Sequence, residues 1–138
     1  MTAFVLDSSV ALAWLLPEKS APGAGALLDR VVEAGALVPD LWRMEIADAL
    51  LSVERSGRIS VEQRLQALDA LSRLPIALDA ETSSHMWGET VTLAATHRLG
   101  VTRAAYLELA QRRGLPLATL DRDLAVAAEA GGVRLMGL

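Results

Sequence analysis

The sequence predicts an α/β protein with a mainly parallel sheet covered by helices on both faces. Short apolar runs at Ala3-Phe4-Val5-Leu6, Ala36-Leu37-Val38, Pro75-Ile76-Ala77-Leu78 and Leu117-Ala118-Thr119 alternate with segments of helical periodicity, the pattern of βαβ units. The runs are apolar throughout rather than alternating, as strands buried on both faces are, and the crossovers are expected to be right-handed. Hydrophobic residues make up 52% of the 138 positions and aromatics only 4%. That is enough apolar surface for one domain, residues 1–138, with an aliphatic core of Leu, Ala and Val, and it excludes a disordered chain.

Each element has a local reason. The first run ends on Asp7-Ser8-Ser9, where Ser8 or Ser9 can cap a helix from Val10 to Leu16 that Pro17 stops. A Pro- and Gly-containing turn leads to a helix from Ala24 to Ala34, with Gly35 as its C-cap. Ala36-Leu37-Val38 ends at Pro39-Asp40, and a helix from Leu41 to Ser56 follows with Ile46, Ala49, Leu50 and Val53 on its apolar face. Gly57 ends it. Ser60-Val61-Glu62-Gln63 has the form of a capping box for a helix to about Arg73. Pro75 to Leu78 is the next strand, followed at once by Asp79. Glu81 to Leu99 reads as helix, broken near Gly88, with Met86 and Trp87 filling the core and His85 and His97 as surface or packing residues. Val101 to Leu124 then holds a helix with Ala104, Leu107, Leu109 and Ala110 on its apolar side, a Gly-Leu-Pro break, the Leu117 strand and Asp121. A helix from Leu124 to Ala130 and a last strand, Val133-Arg134-Leu135, close the chain. The helices between the second and third strands form a lobe beside the sheet.

Composition bounds the function. The net charge of −4 argues against holding nucleic acid by bulk electrostatics, though a nuclease that works through metal ions remains compatible. Arg98, Arg103 and the Arg112-Arg113 pair are either a local phosphate-facing strip or solvated helix faces. No cysteine is present, which excludes disulfides and thiolate metal sites. The first apolar run lacks a basic leader and is interrupted by Asp7, and no stretch reaches the roughly 20 apolar residues of a spanning helix. A soluble cytoplasmic protein is expected. There is no Gly-rich phosphate loop, because Gly23-Ala24-Gly25 does not follow a strand.

The acids at the strand ends carry the chemistry. Parallel strands bring their C-termini to one edge, where open α/β folds bind ligands, and four runs end at Asp7, Asp40, Asp79 and Asp121. Carboxylates without His or Cys suit a hard cation, Mg²⁺ or Mn²⁺, which activates water for attack on a phosphodiester. Asp40 is most simply a helix N-cap and Asp79 a turn residue. Asp121 reads either as a site residue or as the cap of its helix. Asp7 has small serines behind it that leave room for a ligand and can orient its carboxylate. Glu45 shares a helix face with Asp48, and spacing alone leaves its role open.

The stretches VLDSSVALAWLLPE, VPDLWRMEIADALL and AAYLELAQRRGLPLATLDRDL together resemble the PIN-domain family, and within it the VapC toxins of bacterial toxin–antitoxin pairs. The resemblance covers nearly the whole chain. It implies a PIN-like three-layer α/β/α sandwich and a Mg²⁺-dependent endoribonuclease, usually a homodimer neutralised by a VapB-type antitoxin. The family's first, second and last acids fall on Asp7, Glu45 and Asp121, the implied catalytic and metal-holding set, with Asp123 as a frequent accessory. Ser9 and Thr119 match polar neighbours of the first and last acids. Trp14, Leu15, Trp42 and Leu51 are candidates for partner contact, with at least one of the two tryptophans in the core.

The sequence departs from the family at two points. Asp48 stands where an Asn is usual, and Arg103 stands where the third acid should precede Ala104-Ala105-Tyr106-Leu107. A guanidinium there can bridge the crowded carboxylates and supply the charge a metal would have brought. Alternatively it swings outward to clamp a substrate phosphate, or faces solvent. The sequence therefore carries two functions forward: a metal-dependent ribonuclease cutting RNA, and a PIN domain that binds antitoxin or RNA without cutting.

Overall fold

The computed structural model describes residues 3–137. Four parallel strands form one sheet in the order β3-β2-β1-β4, flanked by helices in a three-layer α/β/α arrangement. β1 (Phe4–Leu6) is wholly buried and runs into α1 (Ser8–Leu15). The helix begins two residues earlier than the sequence suggests because Asp7 itself takes the N-cap position, without a side-chain cap bond. The expected serine cap is absent, since the Ser9 hydroxyl is engaged elsewhere. Pro17 opens a short 3₁₀ turn, Pro17–Lys19, and stops α1 as expected.

α2 (Ala24–Ala34) ends at Gly35, whose φ of +79° is left-handed territory and whose missing Cβ would meet the Pro75 carbonyl at 3.1 Å. β2 (Ala36–Pro39) is buried along its length. α3 (Trp42–Arg55) packs on α1 and α4, burying Trp42, Ile46, Leu50 and Val53. Asp40 is not its cap: Leu41 holds that position, and Asp40 is exposed, its backbone N–H given to Thr82 Oγ1 at 2.9 Å. The Ser60–Gln63 capping box is formed in full at the start of α4 (Val61–Ser72), followed by β3 (Ile76–Asp79).

Rather than breaking at Gly88, the next helix widens. α5 (Thr82–His85) passes through a π turn, Met86–Thr90, into α6 (Val91–His97), which Arg98 closes with φ +55°. The π turn throws Trp87 outward. It is 93% exposed rather than core-filling, beside Met86, Val91 and Val101. α7 (Val101–Arg113) is the central helix, lying against β1 and β2 with α6 and α8 beside it; Ala104 to Ala110 are all buried, so it reads as a core helix rather than one with a single apolar stripe. β4 (Leu117–Ala118) leads to α8 (Arg122–Ala130). The last expected strand contracts to a single parallel bridge between Leu117 and Leu135. Among the described residues no helix is long and apolar enough to cross a membrane.

Candidate active site

Strand order decides which acids meet. β1 is inside the sheet, with β2 on one side and β4, formed last, on the other. The chain therefore leaves β1 in one direction and returns on its opposite flank, and the crevice at that switch point is where ligands bind in such sheets. Register sets Val5 beside Leu117 and Leu6 beside Ala118. The next residues out, Asp7 and Thr119, face each other at the sheet's carboxyl edge.

Asp7 is fully buried. Its Oδ2 accepts hydrogen bonds from Ser9 Oγ at 2.6 Å and Thr119 Oγ1 at 2.7 Å. The same hydroxyls act twice: Ser9 Oγ accepts the Leu120 N–H at 3.0 Å and Thr119 Oγ1 the Asp121 N–H at 2.9 Å. One carboxylate oxygen is thus fixed by a relay that also positions Asp121. The other, Asp7 Oδ1, is buried with no hydrogen-bond partner among the described residues.

Asp121 resolves the choice between cap and site by being placed for both. Its Oδ1 accepts the Leu124 N–H at 2.8 Å, capping α8, while its Oδ2 accepts Arg103 Nε at 2.9 Å. Arg103, in the first turn of α7, also brings Nη1 to 4.0 Å from Asp7 Oδ1, close enough to attract but not to hydrogen-bond. One turn on, Tyr106 is buried and donates its hydroxyl proton to Glu45 Oε1. α3 thereby brings Glu45 to the pocket from the side opposite α8. Three sequence-predicted acids, from β1, α3 and the β4–α8 junction, surround one guanidinium.

A family model described as PIN domain matches residues 4–130. The chain belongs to the PIN-domain family. It is 31% identical over 121 residues to Ribonuclease VapC3 of Pyrobaculum aerophilum, with 88% of this chain and 91% of that protein covered. In fold it is similar to the crystal structure of PAE2754 from Pyrobaculum aerophilum, with a TM-score of 0.69 and 21% identity, covering 93% of this chain and 86% of that one. It is also similar to FitAcB from Neisseria gonorrhoeae, with a TM-score of 0.67 and 16% identity, covering 97% and 96%. The VapC-like resemblance read from the motifs therefore holds.

The electrostatics of this PIN-domain pocket follow from its burial. Desolvation pushes the Asp7 carboxyl up, against the hydrogen bonds from Ser9 and Thr119 and the charge of Arg103, which favour ionisation. Glu45 is also raised, by burial first and by the Asp7 charge, with the Tyr106 hydrogen bond pulling the other way. Partial burial works against the Arg103 charge, but Asp7 and Asp121 outweigh it and hold the proton more firmly. Burial and the Glu45 charge push the Tyr106 phenol up, so it remains a donor.

As placed, the pocket does not hold a metal: among the described residues no three His, Cys, Asp or Glu side chains gather into a group that could bind one. The orphaned Asp7 Oδ1 is an acceptor that a cation would satisfy, and the Arg103 side chain is 36% exposed, so its head can turn out without crossing the core. Asp7, Glu45 and Asp121 are together an all-oxygen donor set of the chemical kind hard cations take.

Three other residues singled out from sequence lie elsewhere. Asp48 and Asp123 are exposed, and Asp123 sits in the first turn of α8; neither hydrogen-bonds into the pocket. Arg112 is neither solvated nor phosphate-facing. It is turned inward to Asp79, at 2.6 Å through Nη2, and to Glu108, at 2.8 Å through Nε. Asp79 ends β3 on the far edge of the sheet, so topology separates it from Asp7. Sequence reasoning missed Tyr106 as a site residue. The available signal was its spacing: three residues after Arg103, it shares that helix face.

Proposed function

We propose that this PIN domain is a VapC-like endoribonuclease of a toxin–antitoxin pair. In this reading Asp7, Glu45 and Asp121 are the catalytic acids and Arg103 is their resting counter-ion. The supporting observation is the buried, partnerless Oδ1 of Asp7, because a buried acceptor without a donor is costly and rarely kept without a ligand to satisfy it. Mg²⁺ or Mn²⁺ would be held by Asp7, Glu45 and Asp121; when bound, such an ion polarises a phosphoryl oxygen and acidifies water.

The chain's own residues do the rest. Ser9 and Thr119 tie down Asp7 Oδ2 and so aim Oδ1 into the crevice. Glu45, raised by burial and gripped at Oε1 by Tyr106, has Oε2 to accept a proton from the attacking water. Arg103, once turned outward, offers its planar fork to the RNA phosphate. A VapB-type antitoxin and a second copy of the chain are proposed as partners. For the antitoxin, the cleft between α1, α3 and α4, lined by Trp14, Leu15, Leu50, Ile59 and Ala67, is an apolar surface to occupy, while Trp42 is buried in the core.

The second reading is a PIN domain that binds without cutting, favoured by the 2.9 Å Arg103–Asp121 pair at the position a cation would take. Calorimetry of Mg²⁺ and Mn²⁺ on this protein and on Arg103→Asp, with RNA cleavage followed in parallel, separates the two. Metal binding and cleavage by the unaltered chain, both abolished in Asp7→Asn, support the ribonuclease. Metal binding that appears only in Arg103→Asp, together with no RNA cleavage by the unaltered chain, supports the binding module.

A further inference from the structure

We infer that Arg103 makes metal and RNA binding mutually dependent, so that the acid pocket opens to a cation when a nucleic-acid phosphate draws the guanidinium out of it. The inference rests on the ribonuclease reading and adds to it how the site is controlled.

One guanidinium has two claimants. Inward, Nε is hydrogen-bonded to Asp121 Oδ2 at 2.9 Å and Nη1 faces Asp7 Oδ1 at 4.0 Å. The Asp121 contact is open to water, with the Asp121 side chain 25% exposed and that of Arg103 36%, whereas Asp7 on the other side is buried. The inward pair is therefore a partly exposed ion pair, weak enough for competition. A phosphate outside the crevice offers the same fork two oxygens in a matching plane. Exchange of the guanidinium for a cation, though not its release alone, is also favoured inside the pocket. The Asp7 oxygen that Arg103 approaches is never hydrogen-bonded by it, so the inward state leaves that buried acceptor unsatisfied.

The two arrangements differ in what they admit. With the guanidinium inward, a dication would meet a like charge beside the carboxylates it needs. With the guanidinium on a phosphate, three acids are left facing one another and their repulsion favours the cation. A ligand that binds only one of two states shifts the equilibrium toward it, and the apparent affinity of the second ligand rises with the population of the competent state. Reciprocity follows: the factor by which RNA tightens metal is the factor by which metal tightens RNA. Tyr106 does not take part in the exchange, since it is buried and fixes Glu45 whichever way Arg103 points. Only the Asp7–Asp121 side of the pocket is gated.

The test measures Mn²⁺ affinity by electron paramagnetic resonance on the full chain, with and without a short single-stranded DNA whose integrity is checked on gels. The DNA's own Mn²⁺ binding is subtracted. Affinity of the unaltered protein is expected to rise at least about fivefold with the oligonucleotide, the lower end of typical couplings. Arg103→Ala and Arg103→Gln are each expected to bind Mn²⁺ well alone, with the oligonucleotide effect gone. Two substitutions guard against one that disturbs the start of α7. The Arg103 Nε–H signal in nitrogen-15 spectra should be protected from exchange in the free protein and should shift on adding the oligonucleotide. Equal Mn²⁺ affinity with and without DNA in the unaltered chain, or full coupling retained in both variants, overturns the inference while leaving the ribonuclease reading intact. No Mn²⁺ binding by any of the three proteins under either condition overturns the ribonuclease reading, and the coupling with it.

Discussion

Replacing Arg112 by Met should destabilise the fold severely while leaving the acid pocket untouched. The guanidinium gives Asp79 two hydrogen bonds, at 2.6 and 3.3 Å, and Glu108 two more, at 2.8 and 3.0 Å. Both carboxylate side chains are only 4% exposed. Met keeps the apolar stem and removes the charge. Asp79 would still accept from Thr82 Oγ1 and the Glu81 N–H, but Glu108 would keep only His85, 4.0 Å away. Removing one partner of a buried pair costs about 3–5 kcal/mol, a fifth or more of a typical total of roughly 5–15 kcal/mol. At this chain length that is roughly 10–20 °C in Tm.

The loss has a pH signature. Burial pulls the Asp79 carboxyl up, but hydrogen bonds from Arg112 and Thr82 outweigh it and hold it below its ordinary 3.8. Its contribution is therefore present above that value and fades as pH falls through the lowered one. In the variant burial acts on the Asp79 carboxyl without the arginine to offset it and pushes it up, so the deficit should shrink between pH 7 and pH 5. Urea unfolding at both values, followed by circular dichroism, measures it, and adding Glu108→Gln should recover part of the loss. A cost below about 1 kcal/mol at pH 7, or an equal deficit at both pH values, would refute the argument that buried carboxylates depend on this arginine.

Two further outcomes follow from the pocket. Asp7→Asn keeps an acceptor for Ser9 and Thr119 and removes a buried charge that burial raises above 3.8. The ionised acid costs stability as pH climbs through that raised value. Metal-free Asp7→Asn should thus be more stable at pH 7 by on the order of 1 kcal/mol, with the gain vanishing toward pH 3 and RNA cleavage lost; calorimetric scans across pH test this, and a destabilised variant at pH 7 would contradict it. Tyr106→Phe should cost about 1 kcal/mol in unfolding free energy. It should also move the acid limb of the cleavage profile to higher pH, because the lost hydrogen bond favoured ionised Glu45. An unmoved limb would remove Glu45 from the proton transfer.

The sheet was legible because its strands are short, apolar throughout and punctuated by acids, and Gly35 and the Ser60 box announced their own roles. What sequence could not supply was direction within a helix wall. Arg112 looked solvated because charge on a helix usually is, whereas two acids distant in sequence from one another, Asp79 and Glu108, turn it inward. Trp87 looked like core because a large aromatic usually is, and a π turn, invisible to 3.6-residue periodicity, rotated it out. Ser9 was open to two roles, helix cap or support for Asp7, and the register of β1 on β4 gives its hydroxyl the second. The family resemblance picked out Asp7, Glu45, Asp121 and Arg103, and of the three placements open to Arg103 the bridge to the carboxylates is the one the structure shows. That depends on the charge already gathered there.

The relay through Ser9 and Thr119 joins residues 112 and 111 positions apart. During synthesis, β1 and the carboxylate behind it emerge early, and nothing made before Leu117 can complete their surroundings. β1 can pair with β2 on one flank while the other stays open. A nascent chain already carrying α1 to α7 would have Asp7 and Glu45 but neither Asp121 nor the hydroxyl that aligns the first acid. The pocket is thus completed only when β4 and the start of α8 have been made, after most of the fold around it.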